Sequence, residues 1–487
     1  MSGASLILLA LAIPFGATVL IAATGSRPNL REAVTLAAAG LLFLTVLALL
    51  SRFRGGAELS LSLIELLPGA PLAFHAEPLG LIFAVVASGL WIVNSIYSIG
   101  YMRGNDEGHQ TRYYICFAVA LGSTMGIALA GNLLTLFIFY EALSLSTYPL
   151  VTHHGDDEAK RSGRTYIGLL MATSIGLMLY AILLTWNATG TLDFTAGGFL
   201  SGRVSDGLGS VLLLLYMYGI GKAALMPVHR WLPAAMVAPT PVSALLHAVA
   251  VVKAGVFTVV KVAVYVFGLD YLGRLPTADL VLAIAGFTIV TASIIALRQD
   301  NLKRRLAYST VSQLSYVVLG VFVLAPLSVM GAALHIAAHA FGKITLFFAA
   351  GSIYTAAHKT EVSQLDGIGR RMPWTMGAFA VGALSMIGVP PAAGFLSKWY
   401  MLIGAWQIGQ WFAVAIIVVS TLLNAAYFLP IVYAAFLKPL SAEAQAHPHG
   451  EAPLAIVLAL TVTAALTILL FLSPGLALEL GGALIDR

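Results

Sequence analysis

The stretch Gly221-Lys222-Ala223-Ala224-Leu225-Met226-Pro227-Val228-His229-Arg230-Trp231-Leu232-Pro233, continued by Ala238-Pro239-Thr240-Pro241, sets a lysine and repeated prolines inside an otherwise apolar part of the chain. Each proline removes a backbone donor and stops a helix. Unwound backbone at membrane depth is tolerated only where protein or a water-filled cavity surrounds it. The stretch therefore reads as a broken membrane helix facing a polar interior. A second interruption, Gly388-Val389-Pro390-Pro391-Ala392-Ala393-Gly394, stands just before Lys398. Two Pro/Gly breaks, each beside a lysine, point to the paired discontinuous helices of a transporter with an inverted repeat.

Working outward from the breaks, apolar runs long enough to cross about 30 Å of hydrocarbon lie near 4–24, 33–51, 79–99, 113–130, 132–152, 164–187, 208–225, 241–266, 276–297, 306–325, 328–356, 374–394, 410–437 and 453–473. The 487 residues are 59% hydrophobic and only 10% charged, with a mean hydropathy of +0.92, which excludes a soluble protein. Open sheets would leave unpaired backbone in lipid, and the runs lack barrel alternation, so the spans are helices. The expected fold is an all-α integral membrane protein of about fourteen transmembrane helices. Its organisation reads as helices 1–3 over 1–112, a five-helix unit over 113–266, a second over 276–437 and a last helix at 453–473, with surface loops at 52–78, 188–207 and 439–452. Leu6 to Ala23 has no basic segment before it and reads as a retained helix.

Charge placement gives orientation. With the N-terminus outside, the cytoplasmic loops hold Arg27, Arg31, Arg103, Arg112, Lys160, Arg161, Arg164, Arg298, Lys303, Arg304, Arg305, Lys359, Arg370, Arg371 and Lys438, against Arg52, Arg54, Arg203 and Arg274 opposite. This bias predicts a multi-pass protein with both termini outside the cytoplasm. The single Cys116 excludes a disulfide framework and any four-cysteine zinc or iron–sulfur site, so no cofactor or metal is expected on this chain. No nucleic-acid signature is present.

Ionisable groups within the spans carry the functional signal. Glu141 follows Leu133 to Tyr140, and it is the only acidic residue well inside an apolar run. Lys222 lies near the end of a run, Lys253 within Val249 to Phe257, Lys343 in the middle of the eleventh run and Lys398 between two long ones. Each costs at least about 2.5 kcal/mol at a helix centre. A lysine desolvated in a bundle loses its proton more readily, and an approaching carboxylate holds it, so this set reads as a proton relay. For any one lysine the alternative is snorkelling to the headgroups or a static ion pair. Lys261, near the end of its span, reads equally as a snorkeller, and Arg230 as interfacial.

His335, His339 and Lys343 recur at i, i+4, i+8 and share one helix face. Imidazoles pass protons near neutral pH, so the row suits a proton wire; core histidines bonded to backbone or hydroxyls are the plainer reading. His247 and His229 are similar candidates, while His153 and His154 read as solvated. Ser144, Ser146, Thr147, Tyr148, Thr310, Ser312, Gln313 and Tyr316 could organise water or hydrogen-bond neighbouring helices.

The segment Gly221 to Pro233, the following Ala238 to His247, Leu302-Lys303-Arg304-Arg305-Leu306-Ala307-Tyr308-Ser309-Thr310-Val311-Ser312-Gln313, His335 to Lys343, and Gly394 to Lys398 resemble the antiporter-like subunits shared by respiratory complex I, membrane-bound hydrogenases and Mrp-type multisubunit cation/proton antiporters. The resemblance spans roughly residues 80 to 430. It implies two inverted five-helix repeats, discontinuous seventh and twelfth helices and a central polar axis. It implies that Glu141 and Lys222 form a coupled pair, His247 or Lys253 a connecting element, Lys343 the central relay and Lys398 the terminal group. Ala234 stands where the family often has an acidic residue. Lys253 looks more like the Mrp-type and related bicarbonate-uptake branches than every complex I subunit, and the chain length resembles the D-type component of an Mrp antiporter or the two smaller antiporter-like subunits of complex I. The implied partners are other membrane subunits of a prokaryotic inner-membrane assembly, the lipid bilayer, H+ and Na+. The alternatives are the pumping arm of a quinone- or hydrogen-linked oxidoreductase and the membrane half of an inorganic-carbon uptake pair.

Overall fold

The computed structural model describes residues 2–440 and 450–485. Its helices are α1 (Gly3–Ala23), α2 (Pro28–Arg54), α3 (Pro78–Gly104), α4 (Gln110–Ala128), α5 (Leu133–Val151), α6 (Asp157–Thr189), α7 (Asp206–Gly219), α8 (Thr240–Phe267), α9 (Pro276–Leu297), α10 (Leu302–Phe322), α11 (Pro326–Ala357), α12 (Pro373–Ile387), α13 (Ala393–Gln407), α14 (Trp411–Leu437), α15 (Leu454–Leu472) and a short α16 (Gly475–Ala483). Among the described residues, ten of these are long and apolar enough to cross a membrane, and α7 and α12 are shorter apolar helices. The chain is a multi-pass, essentially all-α membrane protein. Helix starts follow capping chemistry. Asn132 accepts from the Thr135 N–H at 2.8 Å before α5, while α2, α3, α9, α11 and α12 open on a proline at their first or second position, where no backbone donor is needed.

Two helices form the centre. α8 is buried along its whole apolar length and α11 almost so; α11 packs on α3, α8, α10, α12, α13 and α15. Helices α1, α2, α14 and α15 present leucines and valines outward, such as Val19, Leu44, Leu422 and Leu454, the surface that lipid rather than water accommodates.

Both breaks are present. After α7 the chain leaves helical geometry at Ile220, and Ala224 takes a left-handed turn with φ +56°. Its freed groups find partners: the Trp231 indole donates to the Gly221 carbonyl at 3.0 Å, and the Met226 N–H donates to Thr288 Oγ1 at 3.3 Å. α12 ends at Gly388, φ +90°, and α13 starts five residues later. The Lys398 ammonium there donates to the Met386 and Ile387 carbonyls at 2.7 and 3.1 Å, capping the negative end of α12.

Several expectations need correction. Residues 52–78 are no plain loop. Ser60–Leu67 and Ala70–His75 form an antiparallel hairpin, β1 and β2, pairing Ser60 with His75 and Leu61 with Phe74 around Pro68-Gly69, with Gly69 at φ +76°. Apolar windows sized for a membrane do not register so short an element. The loop assigned to 439–452 falls mostly on 441–449, outside the described residues. His153 is buried rather than solvated. Arg112 donates to its carbonyl at 2.9 Å, the Tyr113 ring stands edge-on to it, and burial pushes its imidazole down to about 4.

Lys261 does not snorkel. It is fully buried on α8, 2.6 Å from the Glu77 carboxylate, donates to the Ala130 carbonyl at 2.6 Å and lies over the Phe194 ring. Glu77 precedes α3 at Pro78 and escaped notice as a helix-flanking residue. Removing one partner of such a pair strands a buried charge at a cost of about 3–5 kcal/mol. Lys261→Ala is expected to lower the thermal unfolding temperature of the detergent-purified protein, and Lys261→Met with Glu77→Leu to recover most of it. A single variant as stable as the parent would remove the pair's structural role.

A buried lysine and histidine row

The site is assembled from the two breaks and the two central helices. Lys222, in the first break, is fully buried. Its ammonium donates to the Tyr140 carbonyl at 2.8 Å and Ser144 Oγ at 2.6 Å, and stands 3.2 Å from the centre of the Tyr140 ring. All three contacts belong to the α5 turn that carries Glu141. The Glu141 carboxylate oxygens are buried, with no hydrogen-bond partner and no ion pair within 4 Å among the described residues. Carboxylate and ammonium are thus neighbours held apart, the lysine being occupied by a carbonyl and a hydroxyl.

α8 passes directly behind the break. A Cβ on Gly255 would overlap the Lys222 carbonyl, so glycine permits the close approach of α8 to the first break. One turn earlier, α8 widens into a π turn over Leu245–Val249, distorted at Ala250, a defect that recurs at functional positions. The π turn carries His247, whose Nδ1 is 3.1 Å from Thr310 Oγ1 on α10. Lys253 reaches across to α11 and hydrogen-bonds His339 Nδ1. The His339 ring is 5.8 Å from that of His335, and His335 Nδ1 is 2.8 Å from Ser397 Oγ. Ser397 adjoins Lys398, whose ammonium lies 4.5 Å from the Tyr316 ring centre. Lys343 donates to Ser309 Oγ at 2.6 Å and to the Leu306 carbonyl at 3.4 Å.

The structure therefore brings Lys253, His339, His335 and Lys398 into one buried succession, with Lys343 and His247 on a branch along α10, while Lys222 and Glu141 form a second buried group at the first break, against which α8 packs at Gly255. Lys253 meets His339 before it meets Lys343, an order that linear spacing does not reveal. His229 stands apart, half-buried near Tyr308 and beside Phe287, which is itself exposed. The Nε2 atoms of His247, His335 and His339 are buried without a partner among the described residues, leaving each imidazole one nitrogen free to exchange a proton. Among the hydroxyls and amides, Ser144 and Thr310 take the contacts given above. Gln313 bridges the Met386 carbonyl and Asn424 at 3.2 and 3.1 Å. Sequence reasoning missed Ser309, Ser397 and Asn424; Asn424, a lone amide in the apolar run at 410–437, carried a signal, whereas the two serines did not.

A polytopic helical bundle with two broken helices and a file of buried lysines and histidines is the build of an antiporter-like membrane subunit. Residues 130–424 match the family described as NADH:quinone oxidoreductase/Mrp antiporter, TM, and the chain belongs to that family. It is 36% identical to NADH-quinone oxidoreductase subunit N of Desulforudis audaxviator over 370 residues, covering 74% of this chain and 72% of that one. It is 33% identical to hydrogenase-4 component B of Escherichia coli over 355 residues, covering 69% of this chain and about half, 51%, of that one. Its fold is shared with a chain of the Mrp complex from Dietzia sp. (TM-score 0.88, 22% identity, 100% of this chain and 97% of that) and with one of the archaeal membrane-bound sulfane sulfur reductase (TM-score 0.86, 24% identity, 99% and 97%).

Proposed function

We propose that this chain is the proton-translocating subunit of a multisubunit Na+/H+ antiporter, akin to the D-type component of the Mrp assemblies. The observation that carries the reading is the buried row from Lys253 through His339 and His335 to Ser397 and Lys398, with Lys222 seated at the first break against which α8 packs. When Glu141 is drawn toward Lys222, the ammonium leaves the Tyr140 carbonyl and Ser144, and the lysine is held charged. When they separate, the desolvated ammonium releases its proton toward Lys253. A new charge at Lys253 favours the neutral form of the groups next to it, and the disturbance passes along the row to Lys398 without large backbone movement.

The bundle is read as fourteen spans with both termini outside a prokaryotic inner membrane, and as two inverted five-helix units, 113–266 and 276–437, each with its broken helix fourth in order. His229 is retained as a secondary group at the rim. The antiporter reading draws on the fold shared along nearly the whole of both chains with a component of the Mrp complex. A second reading, the pumping arm of a redox complex, is favoured by the identity to the quinone oxidoreductase relative over most of that protein. Either function needs other membrane subunits.

Purification in mild detergent decides between the two. Co-purifying cofactor-free membrane proteins, with sodium-driven proton exchange in vesicles made from the complex, support the antiporter; flavin or iron–sulfur partners overturn it in favour of the pump.

A further inference from the structure

One set of ionisable groups stands outside the row. Two adjoining cavities, of about 680 and 220 Å³, open between the α3–α4 loop, the α5–α6 loop, the turn before α8 and the start of α10. Their walls share His154, Met236, Val237 and Asn301. The smaller one also reaches Glu107 and Lys303, and its volume holds several waters. His154 is exposed, and its Nε2 is 3.4 Å from Glu107 Oε1. Its imidazole is held above its usual range, first by that hydrogen bond, with Asp156 adding to it and Lys303 opposing. His153, which also faces Glu107, is buried.

The inner wall leads to the row. Lys303 donates to the Ala238 carbonyl at 2.6 Å, just before α8. On α10, Lys303, Leu306 and Thr310 fall at i, i+3, i+7 and share a face. The Leu306 carbonyl accepts from Lys343, and Thr310 is bonded to His247. The cavity wall at Lys303 thus lies three residues along α10, a rise of about 4.5 Å, from the carbonyl that holds Lys343.

We propose that this paired cavity is a proton-collecting port, with His154 and Glu107 as the collecting groups and Lys303 as the relay to the Lys343–His247 branch. It rests on the buried row being a proton path. A proton from bulk water binds the His154 imidazole and crosses to the Glu107 carboxylate, leaving neutral imidazole. The carboxyl protonates the Lys303 amine through cavity water and returns to carboxylate; the Lys303 ammonium then delivers the proton to the Lys343 amine and is neutral again.

The test uses the assembled complex in vesicles, carrying Cys116→Ala and Val237→Cys, with a pH-sensitive dye reading proton flux. A bulky, membrane-impermeant maleimide applied from the cavity face is expected to label Val237→Cys and cut flux by about tenfold, the unlabelled protein transporting normally. Full labelling with unchanged flux, or no labelling from that face, overturns the port. Should Val237→Cys itself be inactive, Glu107→Gln decides. It is expected to raise the proton concentration for half-maximal flux while sparing the maximal rate, with Glu107→Asp restoring it; an unaltered proton dependence overturns the proposal. Lys222→Ala serves as the separate arm: normal transport there removes the row itself, whatever the labelling shows.

Discussion

Lys222→Ala is expected to abolish proton flux, by at least about 100-fold, while the subunit still inserts and co-purifies with its partners. The side chain gives one ammonium to a carbonyl, a hydroxyl and a ring face, and alanine leaves the buried Glu141 carboxylate without the cation nearest to it. Arginine is expected to fail as well. A planar guanidinium cannot occupy a 3.2 Å seat over the Tyr140 ring while meeting the Tyr140 carbonyl and Ser144 Oγ in the same geometry, and it does not release its proton. Dye-monitored exchange in vesicles from cells expressing each variant measures this. Parental rates in either variant would show that the first broken helix has no part in translocation.

His339→Ala is expected to reduce flux by a similar factor, about 100-fold, because this ring joins the helix bearing Lys253 to the helix bearing His335. His339→Gln keeps a hydrogen-bonding group of comparable reach but cannot take up and release a proton, so it is expected to be as inactive as alanine. That comparison separates a proton-carrying imidazole from one that merely spaces α8 from α11. Equal loss in both variants, with normal assembly, supports carriage; activity in the glutamine variant alone would make the ring a spacer.

Much of the architecture was legible because lipid imposes so few solutions. The run at 276–297 coincides with α9, and the prolines at 227, 233, 390 and 391 mark both interruptions, since neither hydropathy nor proline chemistry depends on distant contacts. What escaped depends on such contacts. Lys261 looked like a snorkeller because its proximity to a span end is local, whereas its partner Glu77 lies far away in sequence. His153 beside His154 looked solvated because only folding puts Tyr113 and Arg112 against it. The identities of the buried lysines were readable as charges in the wrong solvent. Their order was not: the Lys253 to His339 bond joins two helices, and the serines that seat Lys343 and His335 are residue types that serve ordinary helix packing.

The widened turn at Leu245–Val249 sets the angular phase of everything beyond it. A regular helix advances about 100° for each residue and the π turn takes up one residue more per turn, so winding these same residues regularly would swing the downstream half of α8 by about that angle. The Lys253 amine would then aim at a different neighbour, and the Gly255 notch would no longer face the first break. One surplus residue thus works as a clocking pin between the two halves of the bundle.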